Sequence, residues 1–173
     1  MLPHSTDYPT FYQPYVKRVM EPDVKKMLSA SLVDLQQFVK SICESAADQR
    51  YEPGKWSVKE VLQHCIDSER IFAYRALCHA RGEQLRLPGF DQNAYASVME
   101  TGLRSLESLV NESVLVRQST VTLFENFTEK DLLRTGFVGE TSIKTFCWAY
   151  IIAGHFIHHQ EILINRYHLK PIS

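Results

Sequence analysis

The chain has 173 residues, of which 45% are hydrophobic and 23% are charged, and its net charge is −1 at neutral pH. This length allows one domain with a sizeable core, and the composition is that of an ordinary globular protein. The near-zero charge argues against general binding to nucleic acid or to an anionic membrane surface, because both normally require a basic excess.

The first twenty residues are rich in aromatic residues and proline and show no helical periodicity. They predict an extended arm, residues 1–20, packed on the surface of a single domain formed by residues 21–173. Residues 1–15 are polar and contain prolines, so we do not interpret them as a signal peptide. The four cysteines lack C-x-x-C spacing and lie in apolar helical contexts, which predicts buried free thiols in a reducing, cytoplasmic location.

Four long segments carry one apolar stripe each, with apolar residues every three or four positions. Helix one is predicted over about residues 23–45. Helix two begins at the capping box Ser57-Val58-Lys59-Glu60 and ends near Gly82. Helix three is predicted over about 103–126, and helix four over about 142–168, ending before Pro171.

Between helices two and three, Asp91 is the predicted N-cap of a short helix over residues 92–99. A further short turn is predicted at residues 128–131. No segment shows the alternation of a strand, so the expected fold class is all-α, a four-helix bundle. The long connection between helices two and three could cross the bundle and give an order other than up-down-up-down.

His155 and His159 are four residues apart inside the apolar run 146–164, which its histidines, Gly154 and Gln160 interrupt too often for a transmembrane span. On a helix, this spacing places two imidazoles on one face, where they can bind one divalent cation. The H-E-x-x-H motif of metalloproteases has the same spacing, but its Glu is missing here. The simpler alternative is two hydrogen-bonded core histidines.

His64, early in helix two, is the candidate for a third ligand if helices two and four are neighbours. Three imidazoles hold a metal and leave positions open, as in catalytic sites. Asp67, one turn later, could accept a hydrogen bond from the second ring nitrogen of His64. Asp91 could contact substrate, although a simple helix cap is the plainer interpretation. His79, near the end of helix two, is interpreted as a cation at the helix C-terminus.

Glu69 and Arg117 interrupt the apolar stripes of helices two and three. Because a lone buried charge is costly, the pattern predicts an ion pair between them. The alternative is that one or both lie in water, at a bundle end or a dimer seam.

Three segments resemble signatures of the DinB/YfiT-like superfamily, and the resemblance covers about residues 20–168. They are Trp56 to Glu69, Leu87 to Tyr95, and Gly154 to Leu163, the last with the pattern G-H-x-x-H-H. The resemblance implies an up-down-down-up bundle, one nickel or zinc ion held by His64, His155 and His159, and a homodimer. Members of the superfamily are described as metal-dependent hydrolases, as transferases of thiols such as bacillithiol, or as mycothiol- and glutathione-dependent isomerases.

The sequence therefore favours a metal-dependent enzyme, in which the metal activates water for hydrolysis or a small thiol for attack on an electrophile. Its partners would be a small-molecule substrate or a thiol cosubstrate, with Asp67 and Asp91 as catalytic residues. The alternative is a non-catalytic dimeric scaffold or small-molecule binder. A metal site beneath an open cleft would favour the enzyme, and a closed site would favour the scaffold.

Overall fold

The computed structural model describes residues 1–169, and they form the predicted four-helix bundle with only a small two-stranded sheet. The long helices are α2 (Val24–Ser41), α3 (Val58–Ala80), α5 (Leu106–Glu125) and α7 (Cys147–Tyr167), and the short ones are α1 (Gln13–Val16), α4 (Gln92–Ser97) and α6 (Glu129–Leu133). Strands β1 (Thr135–Val138) and β2 (Thr141–Lys144) form an antiparallel hairpin before α7. Residues 170–173, which include the predicted stop signal Pro171, lie outside the described residues.

The start of α3 is fixed by the predicted capping box. The hydroxyl of Ser57 accepts a hydrogen bond from the backbone N–H of Glu60 at 3.2 Å, and the Glu60 carboxylate accepts one from the backbone N–H of Ser57 at 2.7 Å. Two helix N-terminal donors are thereby satisfied. The cap sets the register of the helix and so the direction in which His64 points.

Contacts between α3 and α5 show that these neighbouring helices are parallel. Near the start of both helices, Arg104 donates a hydrogen bond to Gln63, and further along both, Arg70 pairs with Glu112. Because both partners advance together, the connection over residues 81–105 must run the length of the bundle. This explains why it is too long for a simple turn between antiparallel helices.

The last long helix, α7, runs antiparallel to α3. Its beginning lies at the end of α3, where Trp148 contacts His79, and its middle lies beside the start of α3, where His155 contacts His64.

Within residues 1–169, no helix is long and apolar enough to cross a membrane.

The first long helix, α2, completes the predicted up-down-down-up order. Its start lies at the end of α5, where Lys25 Nζ donates to the carbonyl of Glu125 at 2.7 Å. Tyr150, near the start of α7, donates to the carbonyl of Glu21 at 2.8 Å, just before α2. Helix α2 is therefore antiparallel to α5 and parallel to α7.

The sequence predicted an extended arm over residues 1–20, but the arm is only partly extended. It contains a 3-10 turn over Thr10–Tyr12 followed by α1, and its chain lies directly on α7. A Cβ atom placed on Gly154 would come within 2.0 Å of the Tyr15 carbonyl oxygen, so the close approach requires glycine there. The side chains that the arm buries in the core are Tyr8, Tyr12, Val16 and Val19.

The hairpin β1–β2 also differs from the prediction, which began helix four at about Ser142. Each strand has only four residues, too few to show a clear alternation in the sequence. Gly136 in β1 packs against α3, since a Cβ atom there would lie 2.1 Å from the His79 ring. Helix α7 consequently begins five residues later than predicted, at Cys147.

The predicted ion pair between Glu69 and Arg117 is confirmed. Arg117 Nε and Nη2 donate to the two carboxylate oxygens of Glu69 at 2.7 and 2.9 Å, and Nη1 donates to Ser31 Oγ at 2.9 Å. Both charged side chains are buried. The pair thus connects α3 and α5 in the interior, and Ser31 adds α2.

The expectation of buried thiols holds for two of the four cysteines. Cys65 and Cys147 are buried, Cys78 is half-buried, and Cys43 is exposed because α2 ends before it. Burial raises the pKa of the Cys65 thiol and keeps it protonated, as expected of a small core residue.

Candidate metal centre

Three histidines from two helices converge in the interior of the bundle. His64 lies on α3, and His155 and His159 lie one turn apart on α7. Their nearest ring nitrogens all lie within 4.8 Å of one another, and the Nε2 atoms of His64 and His155 are 3.1 Å apart. The antiparallel contact between α3 and α7 therefore brings together the three residues that the sequence singled out.

The three rings are held neutral. Burial lowers the pKa of His64 to about 4 and that of His159 to about 3, and it places the pKa of His155 well below its ordinary value. The neighbouring histidines lower these pKa values further, because two adjacent imidazoles cannot easily both become cations. Neutral imidazole is the form that binds metal ions.

Hydrogen bonds within residues 1–169 do not fully satisfy the cluster. His64 and His155 share one hydrogen bond, and Ser68 Oγ lies 3.5 Å from the other nitrogen of His64. The buried Nδ1 of His159 has no hydrogen-bond partner among these residues. Three neutral rings with nitrogens within 4.8 Å of one another, one of them also holding a buried nitrogen without a partner, fit a divalent metal ion well.

The sequence suggested that Asp67 could accept a hydrogen bond from His64, but the two side chains are not hydrogen-bonded. Its Oδ1 accepts a hydrogen bond from Gln63 at 2.9 Å. The charged residues near it are Arg70 on α3, Glu112 on α5 and Arg104 just before α5, so Asp67 faces α5. Burial raises the pKa of Asp67, an effect that the hydrogen bond from Gln63 partly offsets. At about 100° per residue, position 68 lies nearer the direction of His64 than position 67 does, so Ser68 takes the expected place.

Asp91 caps α4, as predicted, and also lines a cleft that reaches the cluster. Its Oδ1 accepts hydrogen bonds from the backbone N–H groups of Asn93 at 2.8 Å and Ala94 at 3.2 Å. The same carboxylate lies beside the cleft that contains His155. The structure therefore places Asp91 near a route to the cluster but not among the three rings.

The interpretation of His79 as a cation at a helix end is wrong. Its ring is 1% exposed, and its Nδ1 accepts a hydrogen bond from Trp148 Nε1 at 3.1 Å. Burial lowers its pKa, so the ring is neutral at physiological pH. His79 thus fixes the start of α7 against the end of α3.

Two aromatic residues beside the cluster were not recognised as part of the site. The ring of Tyr15 lies 5.2 Å from that of His155 and 5.4 Å from that of His158, and the ring of Trp56 lies 4.9 Å from that of His64. The aromatic content of the arm and the position of Trp56 before the capping box were visible in the sequence. Only the folded chain shows that both side chains enclose the histidines.

Two clefts lead to the cluster, and they have different linings. The first, of about 480 Å³, is lined by His155 and Ser68 together with residues of α1 and of the segment 89–92. The second, of about 330 Å³, is lined by His159, Trp56, Tyr51 and Arg166. Because different histidines line them, two molecules could approach the cluster at once.

The chain belongs to the DinB superfamily, whose family model matches residues 27–163. This stretch includes all three histidines of the cluster. No sequence among the curated proteins matches this chain.

Two solved structures have a similar fold. YfiT from Bacillus subtilis, described as a probable metal-dependent hydrolase with an unusual four-helix bundle topology, is similar with a TM-score of 0.71 and 18% identity, over 85% of this chain and 87% of YfiT. The mycothiol-dependent maleylpyruvate isomerase is similar with a TM-score of 0.64 and 8% identity, over 79% of this chain and 57% of the isomerase. At such identities the similarity establishes the fold alone.

Proposed function

We propose that His64, His155 and His159 bind one divalent metal ion, nickel or zinc, and that the protein is a metal-dependent enzyme acting on small molecules. The observation that carries the proposal is the convergence of three neutral imidazoles, two of which line open clefts. When bound, such an ion acts as a Lewis acid and lowers the pKa of a water or thiol beside it.

The pair of clefts favours transfer of a low-molecular-weight thiol to an electrophilic substrate. Such a reaction has two organic reactants, and here one cleft is lined by His155 and the other by His159. The mycothiol dependence of the structurally similar isomerase is consistent with a thiol cosubstrate. Hydrolysis, suggested by the description of YfiT, is the second candidate and requires only one organic reactant.

The residues around the cluster have different proposed parts. Ser68 orients the His64 ring through its contact with Nδ1, and Tyr15 and Trp56 keep water away from the rings. We propose that Asp91, at the edge of the first cleft, contacts the substrate. A catalytic role for Asp67 stays a prediction, and its contacts with Gln63 and the α5 side favour a structural role.

The test is elemental analysis of untagged protein, compared with His155→Ala and with His158→Ala as a matched control. His158 is adjacent to the pair but is not one of the three converging rings. We expect one nickel or zinc ion per chain in the wild type and in His158→Ala, and none in His155→Ala. Equal metal content in all three proteins would contradict the site and leave the non-catalytic scaffold.

Activity can then separate the two reactions. Metal-loaded protein is supplied with glutathione, bacillithiol or mycothiol and a chlorodinitrobenzene electrophile, and in parallel with a nitrophenyl ester alone. Thiol transfer predicts loss of free thiol that depends on His155, whereas hydrolysis predicts ester cleavage without thiol. The homodimer and the cytoplasmic location stay predictions, and light scattering during size-exclusion chromatography measures the first.

A further inference from the structure

Arg75 on α3 is a buried cation that lacks a carboxylate partner. Its side chain is only 3% exposed, yet no Asp or Glu oxygen of residues 1–169 lies within 4.0 Å of its guanidinium nitrogens. Its Nη2 donates a hydrogen bond to the backbone carbonyl of Pro88 at 2.8 Å, and a second polar neighbour is the neutral hydroxyl of Tyr12. Arg117, which is also buried, is paired with the carboxylate of Glu69, whereas the charge of Arg75 has no such partner.

The surroundings of Arg75 can hold a dry guanidinium but cannot neutralise it. Its central carbon lies 5.9 Å from the ring centroid of Phe72, 5.7 Å from that of Phe90 and 5.6 Å from that of Trp148. Cation–π contacts stabilise a guanidinium whose hydration has been removed. The planar N–H groups remain suited to bidentate binding of a carboxylate.

Arg75 lines the first cleft, which also contains His155. Among the described residues it is the one Arg or Lys that lines this cleft. The ring of Phe72 lies 5.7 Å from the His155 ring and 5.9 Å from the central carbon of Arg75, so one aromatic residue of the cleft is close to both. The aromatic residues of the lining are Phe11, Tyr12, Tyr15, Phe72 and Phe90.

This lining selects the kind of ligand that would fit. A cleft with one cation and many aromatic faces favours an organic molecule with an apolar body and a single negative charge. Inorganic phosphate has more charge and no apolar part. The carboxylate of Asp91 also borders the cleft, but it is exposed and its Oδ1 is engaged by the start of α4.

We propose that Arg75 binds the carboxylate of a small organic acid, which is the substrate class of the first cleft. The apolar body of the acid lies against Phe72 and the other aromatic rings, and its reactive end reaches the three histidines. The position of the reactive end rests on the proposed function. Binding of the carboxylate itself does not, because it requires no metal.

The experiment is calorimetric titration of chelator-treated protein with benzoate, with the neutral analogue benzamide, and with inorganic phosphate. We expect benzoate to bind and benzamide to bind at least about 30-fold more weakly, since the buried cation would stay unpaired. Arg75→Met should weaken benzoate binding at least about 30-fold. Arg81→Met, which makes the same charge change at an exposed arginine near the end of α3, should leave it unchanged.

Thermal unfolding distinguishes this role from a structural one. Arg75→Met removes a buried charge that has no carboxylate partner, and Pro88, whose carbonyl loses a hydrogen bond, is an exposed residue that water can reach, so we expect the same or a higher Tm. Equal benzoate affinity in wild type and Arg75→Met, no benzoate binding by the wild type, or tighter binding of phosphate would each overturn the proposal. If benzoate binding depends on Arg75 but elemental analysis finds no metal in the untreated protein, the metal site is refuted and the carboxylate site stands.

Discussion

The imidazoles of His64, His155 and His159 are polar groups in a packed interior, where unpaired nitrogens are costly. His64 and His155 satisfy one another at 3.1 Å, but the buried Nδ1 of His159 has no partner within residues 1–169. A metal ion would use the lone pairs of all three rings. Metal binding would therefore convert a destabilising cluster into a stabilising one.

The metal-free protein should lose stability as the pH falls below 6.5. The pKa of His64 is about 4 and that of His159 about 3 in the folded chain, against an ordinary value of 6.5. Below pH 6.5 the unfolded chain binds protons that the folded chain does not, so each ring lowers the free energy of unfolding with a slope that grows toward a limit of about 1.4 kcal/mol per pH unit as the pH falls. Urea unfolding of chelator-treated protein between pH 7.5 and 5.5 measures this slope. It should be shallower in His64→Gln, and a flat profile in the wild type would contradict the prediction.

Glu69 and Arg117 should be strongly coupled. Removing one partner of a buried pair leaves an uncompensated charge and costs about 3–5 kcal/mol. We expect the double variant Glu69→Leu, Arg117→Met to be destabilised by much less than the sum of the single variants, as measured by urea unfolding. The exposed pair Arg86 and Glu140 is the control and should show coupling below about 1 kcal/mol. Simple additivity for Glu69 and Arg117 would show that their contact contributes little.

Among the elements, α3 follows most directly from the sequence. The capping box at Ser57 and the single apolar stripe are local signals, and both predict its start and its buried face. The start of α7 could not be predicted in this way, because the hairpin before it depends on Gly136 packing against His79, far away in the chain. The short helix in the arm likewise depends on its contact with α7.

Gly154, the first residue of the G-H-x-x-H-H pattern, should be sensitive to a single added methyl group. A Cβ atom there would meet the backbone of Tyr15, which cannot move aside as a flexible side chain could. We expect Gly154→Ala to lower the free energy of unfolding by about 1–3 kcal/mol and to displace Tyr15 from the histidines. Gly102→Ala is the control, because a Cβ atom there has no neighbour within 4 Å. Similar stability of the two variants would argue against the close contact.

At the scale of the whole molecule, the up-down-down-up order brings α3 beside both α5 and α7. The three metal-ligand candidates could be predicted from spacing on one helix together with the family resemblance. Arg75 and Tyr15 could not, because their importance comes from contacts between segments far apart in the chain. Spacing within a helix shows which residues share a face but not which other segment covers that face.

Metal binding should stabilise the whole bundle, since the proposed ligands lie on two of its helices. A ligand that binds only the folded state at 100 times its Kd adds about 2.7 kcal/mol, which for a chain of this size raises Tm by about 5–10 °C. Thermal unfolding with and without nickel or zinc measures this shift. His155→Ala should show no response to either metal, and a response equal to that of the wild type would place the metal elsewhere.

His64 and His155 are 91 positions apart in the chain. The three-histidine cluster therefore forms only when α3 and α7, the second and the last long helices, have packed against each other. Metal binding by this cluster would therefore require that both helices have already packed. During refolding, we expect metal uptake to occur later than the gain of helical circular dichroism.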